Sequence, residues 1–205
     1  MDRITQIGKH RVMCSDVMTA DINELLEGRK VTVLYSDPPW GAGNLKYWQT
    51  INRRQTGAEI KEVNLDRFLN RIFQIIKDYV REVALVEYGI RWYDEIKEYA
   101  KKYGLFDWGT IGVVYGSERR PMYLHLFTLK RKTPLPKSYI DSIRGTTGYD
   151  TVTKALKPLI TYGTSILDPC CGMGYTARAA RELGAIFYGN EMNAYRLQKT
   201  IRKLK

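Results

Sequence analysis

Two short stretches hold the residue types that could do chemistry. In Asp37-Pro38-Pro39-Trp40 a carboxylate, a rigid backbone and a large flat ring fall within four positions. In Asp168-Pro169-Cys170-Cys171-Gly172-Met173-Gly174 an acid leads into a glycine-rich turn, and Glu191 follows nineteen residues after Gly172. Glycines in such a turn let the backbone come close to a ligand, and a helix starting behind it offers free N–H groups. Taken alone, the first stretch reads equally well as a proline-rich strand exit with a solvated acid and a packing tryptophan.

The second stretch is more specific. A late acid such as Glu191 can accept hydrogen bonds from both hydroxyls of a ribose. The G-x-G here lacks the continuation found in dinucleotide sites, because Ala occupies position 177. Asp168 precedes the turn, where it would repel a pyrophosphate. An acid there suits a cationic ligand with an amino group, which favours S-adenosylmethionine over NAD.

Both stretches need strands to deliver them. Val31-Thr32-Val33-Leu34-Tyr35 is β-branched and aromatic enough for a buried strand, and the two prolines end it. A strand at 166–168 carries Asp168, and another at 185–188 leads to Glu191. In an open α/β sheet, ligands bind outside the carboxyl ends of the strands. Further strands are expected at 10–14, 82–87, 107–115 and 122–130, the last two joined as a hairpin through Gly116-Ser117-Glu118. Apolar spacing predicts helices near 22–28, after an Asn64 cap, over 91–103, 151–160 and 176–183, and after an Asn193 cap. Residues 41–64 and 130–150 read as irregular, substrate-contacting loops. The first holds Tyr47, Trp48, Arg53 and Arg54, and the second holds Arg131, Lys132 and Arg144.

The chain has 205 residues with 44% hydrophobic content, which suits a single domain over 1–205. Its 33 Lys and Arg against 22 Asp and Glu give a net charge of +11, pointing to a polyanionic partner such as nucleic acid. The tyrosines and tryptophans among them can stack on unpaired bases. Three cysteines without a bridging pattern fit a reducing, cytoplasmic setting. With two histidines and no C-x-x-C, no metal site is expected. No signal peptide or membrane-spanning run is visible.

Asp37-Pro38-Pro39-Trp40 followed by Asp168-Pro169-Cys170-Cys171-Gly172-Met173-Gly174 resembles the amino-methyltransferases that modify exocyclic amines of DNA bases. The order, catalytic motif before cofactor motif, resembles their permuted group, and the resemblance covers nearly the whole chain. It implies a Rossmann-like methyltransferase sheet of order 3-2-1-4-5-7-6, strand 7 antiparallel, with helices on both faces. It implies that Asp37 and the Pro38 carbonyl accept hydrogen bonds from the target amine, with Pro39 in the same motif, and that Trp40 stacks on the extruded base. It implies that Asp168, Pro169, Cys170, Gly172 and Gly174 shape the methionine part of an S-adenosylmethionine site. Glu191 would hold the ribose, Asp16 would lie beside the adenine, and Lys157 would help close the site. The family often carries a sizeable recognition domain, for which only the two loops are available here.

The activity this implies is direct methyl transfer to adenine N6 in DNA, because Asp at the first motif position favours adenine over cytosine-N4, where Ser is commoner. The rivals are RNA adenine methylation, DNA cytosine-N4 methylation and a non-catalytic nucleic-acid-binding subunit. Such subunits typically lose one motif, and both are intact here. Pro169-Cys170 matches the nucleophile dipeptide of carbon-5 cytosine methyltransferases, but its place inside the glycine-rich turn favours a packing role. A homodimer could share recognition in so small a member.

Overall fold

The computed structural model describes residues 3–57 and 64–205. One eight-stranded sheet runs through it in the order β1-β2-β8-β7-β3-β4-β6-β5. Its strands are β1 (Arg3–Ile7), β2 (His10–Cys14), β3 (Val31–Ser36), β4 (Val80–Gly89), β5 (Phe106–Tyr115), β6 (Arg120–Thr128), β7 (Ser165–Asp168) and β8 (Ile186–Asn190). The pairs β2–β8, β8–β7, β7–β3 and β3–β4 are parallel, whereas β6 is antiparallel to both β4 and β5. Counting from the strand before the glycine-rich turn, the seven strands from β2 to β5 read 3-2-1-4-5-7-6, and the last-numbered strand is the antiparallel one. The eighth, β1, adds an antiparallel edge to β2 through a turn at Gly8. The polar mix of residues 1–9 hides it, because only Ile4 and Ile7 are apolar within the strand.

The central parallel strands are buried on both faces, which is why they read as continuous apolar runs. One face packs against α1 (Ile22–Leu25), α3 (Leu65–Tyr79) and α4 (Tyr93–Lys102), with Leu34, Ala84 and Leu167 beneath them. The other packs against α5 (Lys137–Ile143), α6 (Gly148–Leu156), α7 (Tyr175–Glu182) and α8 (Ala194–Leu204), over Val33, Tyr35, Leu85 and Ile166. In α3 the Asn64 side chain accepts from the Asp66 N–H, and Phe68, Leu69, Ile72, Phe73, Ile75 and Ile76 are buried. Each such side chain contributes about 1.5–3 kcal/mol by leaving water. Asn193 caps α8 in the same way, by accepting from the Arg196 N–H.

Both expected loops are partly helical. Residues 41–57 form α2 (Ala42–Thr56), ended by Gly57 in the left-handed conformation. This helix has no apolar stripe and buries only Leu45 and Asn52, so its periodicity is invisible in sequence. Residues 58–63 of that expected loop lie outside the described residues. The 130–150 segment contains α5 and the start of α6. Pro136 stands at the N-cap of α5, where a proline starts a helix rather than breaking one.

That segment also changes ends. Leu129 N–H bonds to the Glu82 carbonyl, near the amino end of β4. Residues 145–147 run beside the carboxyl half of β5, with Gly145 N–H on the Gly112 carbonyl and Val114 N–H on the Thr146 carbonyl. It therefore climbs the full height of the sheet.

Candidate active site

The sheet reverses its winding between β7 and β3. From β7 the chain proceeds outward to β8, and from β3 it proceeds outward to β4 on the other side. The register pairs Val33 with Ile166 and Leu34 with Leu167. Asp168 at the end of β7 and Asp37 just past β3 thus leave the sheet side by side. This is where an open α/β sheet forms a crevice.

Asp37, Pro38, Pro39 and Trp40 line that crevice together with Asp16, Pro169, Cys170 and Glu191. Residues from the two ends of the chain are thereby joined in one pocket by β2, β3, β7 and β8. Trp40 is held on two sides. Its side chain hydrogen-bonds Asp37, and its ring lies so close to Gly89 that a Cβ there would come within 2.9 Å.

Asp168 is buried beneath the turn. It accepts from the Cys170 N–H at 3.1 Å and from the Thr176 side chain. Burial pushes its carboxyl up to about 7, with those bonds opposing the shift. Asp37 opens onto the crevice but is hemmed in by protein, and this desolvation raises its carboxyl, opposed by the bond to Trp40 and by the Arg196 charge. Behind it, buried Glu87 on β4 receives the Tyr35 hydroxyl. Burial raises the Glu87 carboxyl, and the Asp37 charge adds to the shift.

Glu191 is engaged by two backbone groups. Gly172 N–H donates to Oε2 and Asn193 N–H to Oε1, both at 2.9 Å. A carboxylate has about four lone-pair sites, so each oxygen retains capacity for a hydroxyl from the crevice. Neither glycine is among the residues lining the crevice, and both face α8. A Cβ on Gly174 would sit 2.7 Å from Thr200 Oγ1 and 2.8 Å from its Cα, and φ is +78°. Thr200 also donates to the Gly172 carbonyl at 3.0 Å. The turn is glycine-rich because α8 packs directly on it.

The remaining expected residues divide. Trp48 lines the crevice from α2, with Tyr47 edge-on to it and exposed. Arg53 and Arg54 are exposed in the last turn of α2. Arg144 is exposed at the crevice end of the sheet, 3.6 Å from Asp141. Arg131 and Lys132 lie at the opposite edge, stacked over Phe106 and Trp108, so they are not brought to the crevice. Lys157 is exposed in the turn after α6 and does not line it either.

Sequence reading missed Tyr115, Asn44, Asn190 and Arg196, all of which line the crevice. The amide oxygens of Asn44 and Asn190 are buried without a hydrogen-bond partner among the described residues. Asn190 already donates to the Ser15 and Pro169 carbonyls, which fixes its oxygen as a free acceptor. Buried acceptors left open at a crevice await a donor. With Asp16 and Glu191 they suit S-adenosylmethionine, whose ribose hydroxyls, ammonium and adenine amine are donors and whose sulfonium is cationic.

The elements define a Rossmann-like α/β fold with a crevice at the switch point of its sheet. Its fold is shared by solved structures of low identity. M1.HpyAVI is 18% identical, with a TM-score of 0.68 over 95% of this chain and 98% of that one. TTHA0409 of Thermus thermophilus, described as a candidate DNA modification methylase and solved with S-adenosyl-L-methionine, is 16% identical with a TM-score of 0.62 over 95% and 94%. PvuII DNA methyltransferase, cytosine-N4-specific, is 9% identical with a TM-score of 0.63 over 91% and 84%. No protein-family model and no curated protein matches the sequence.

Proposed function

We propose that this chain is an S-adenosylmethionine-dependent DNA methyltransferase that modifies an exocyclic base amine, adenine N6 in the first instance. The observation that carries the reading is the crevice itself. Asp37-Pro38-Pro39-Trp40 and, from the Asp168–Gly174 turn, Pro169 and Cys170 follow adjacent strands and line one pocket. The M1.HpyAVI and TTHA0409 structures with bound S-adenosylmethionine, and the DNA substrate in the PvuII name, support it by fold.

Bound S-adenosylmethionine supplies a methyl group already activated on a sulfonium. The protein's task is positioning and electrostatics. The Asp37 carboxylate and the Pro38 carbonyl accept the amine's N–H groups and hold its lone pair out of conjugation with the ring. As positive charge develops on the amine nitrogen, the Asp37 carboxylate stabilises it. The base must leave the duplex, costing a few kcal/mol, and stacking on Trp40 offsets part of this. Asn44, Asn190, Asp16 and Glu191 orient the cofactor through its donors.

The test is transfer of a radiolabelled methyl group to double-stranded DNA, single-stranded DNA and RNA, followed by nucleoside analysis. Labelled N6-methyldeoxyadenosine from DNA is expected. N4-methylcytosine would replace the adenine assignment, labelling of RNA alone would replace the substrate, and no transfer to any of them would remove the function.

A further inference from the structure

Among the charged side chains lining the crevice, all but one are carboxylates. Asp16, Asp37, Glu191, Asn44 and Asn190 present acceptors, whereas Arg196 is the cationic side chain among the described lining residues. It stands in the first turn of α8, three residues after the Asn193 cap. Its guanidinium lies over the Trp48 indole, 4.2 Å from the ring centroid. It also borders the glycine-rich turn, since a Cβ on Gly172 would come within 2.8 Å of Nη2. Among the described residues it forms no salt bridge, although its charge reaches Asp37 and Glu191. A half-buried cation placed by a stacking ring, with no carboxylate within ion-pair distance among the described residues, is free to pair with an anion of the ligand.

We infer that Arg196 is the anchor for the carboxylate of the cofactor's methionine end, held in place by Trp48. This rests on the S-adenosylmethionine reading and adds a residue to it. That ligand carries two cationic groups and one anion. The acceptors around the crevice serve its donors and its sulfonium, and the lining amides of Asn44 and Gln49 and the Tyr115 hydroxyl offer a carboxylate only neutral donors. A guanidinium can, and its planar fork matches a carboxylate through two parallel hydrogen bonds. The Gly172 turn is where the methionine end belongs if Glu191 takes the ribose, because Glu191 and Gly172 are hydrogen-bonded to each other. Trp48 brings α2 into the same contact. Asn193 Nδ2 donates to Gln55 Oε1 at 2.8 Å and ties the far end of α2 to the α8 cap. The segment expected to be a substrate loop thus forms one wall of the cofactor pocket.

The test compares calorimetric binding of S-adenosylmethionine and decarboxylated S-adenosylmethionine to the wild-type chain and to Arg196→Met. The wild-type chain is expected to prefer the carboxylated form on the order of tenfold or more, as a charge-assisted pair allows. Arg196→Met should lose that preference by binding S-adenosylmethionine more weakly, while keeping its affinity for the decarboxylated form, which also shows that the variant folds. Wild-type protein that binds both forms, with a variant that keeps the same preference, overturns the anchor and leaves the cofactor reading standing. Wild-type protein that binds neither form removes both. A variant that keeps the preference but loses affinity for duplex DNA assigns Arg196 to a nucleic-acid phosphate instead and overturns the inference.

Discussion

Tyr35 donates its hydroxyl to the Glu87 carboxyl beneath the crevice, across the parallel pair β3–β4. Tyr35 pairs with Leu85 in register, so Glu87 stands one step nearer the strand ends on the same face. The bond lies two residues before Asp37 and ties the strand that delivers Asp37 to its neighbour.

Glu87 makes stability depend on pH. Its carboxyl is pushed from 4.5 up to about 8 by burial first and by Asp37 next. Between those values the folded chain holds a proton that the unfolded chain has released. Stability therefore falls as pH rises through this window, by up to about 1.4 kcal/mol per pH unit for one group. Glu87→Gln keeps an acceptor for Tyr35 and cannot ionise. Denaturant titrations from pH 5 to 9 should show a shallower loss in the variant, and parallel curves would reject the assignment.

Asp37 must be ionised to accept from an amine. Burial raises its carboxyl from 3.8 to about 6, so methyl transfer should decline as pH falls through about 6. Asp37→Asn keeps the shape and removes the charge. Its rate under single turnover should drop on the order of 10²-fold or more, with cofactor affinity within a few-fold of the wild type. An unchanged rate would exclude Asp37 from the reaction.

Gly174 and Gly172 should respond differently to alanine. Gly174→Ala places a Cβ against the Thr200 backbone, which cannot swing away, and strains a φ of +78°. It should cost about 2–4 kcal/mol of stability. Gly172→Ala shares the strain of a positive φ (+50°) but meets only the far end of the Arg196 side chain, which can move, so it should cost less stability than Gly174→Ala. Its greater effect is expected on binding of S-adenosylmethionine than on melting temperature. Equal melting temperatures for the two variants would contradict this packing account.

Trp48 should act through Arg196. Trp48→Ala removes a cation–π contact worth about 0.5–2 kcal/mol. Binding of S-adenosylmethionine should weaken several-fold with little change in thermal stability, because α2 buries so little.

Phe73 tests the core on the face of α3. It is fully buried among Tyr99, Tyr103 and Phe127. Phe73→Ala should cost about 3–5 kcal/mol in chemical denaturation, and a loss below about 1 kcal/mol would mean that this core can collapse around the gap.

Much of the fold is local enough to read. The run Val31–Tyr35, the α3 stripe and the Asn64 and Asn193 caps are decided by side-chain period and by hydrogen bonds within a turn. The helix α2 is not legible because it is held from outside, by Trp48 on Arg196 and Gln55 on Asn193. The strand β1 is hidden because an edge strand exposes its polar side chains and depends on β2 for its ladder.

The same division runs through the site. Asp37, Trp40, Asp168 and Glu191 stand out in the sequence because each closes an apolar strand or flanks a glycine turn. Such punctuation is local chemistry. That Asp37 and Asp168 leave the sheet side by side follows from β3 lying beside β7, a pairing between segments distant in the chain. That Gly174 packs against α8, that Arg131 faces away, and that Arg196 is the lone cation among the described lining residues are likewise matters of which surfaces meet. A single sequence records the residue types, and only the packed sheet and helices decide their neighbours.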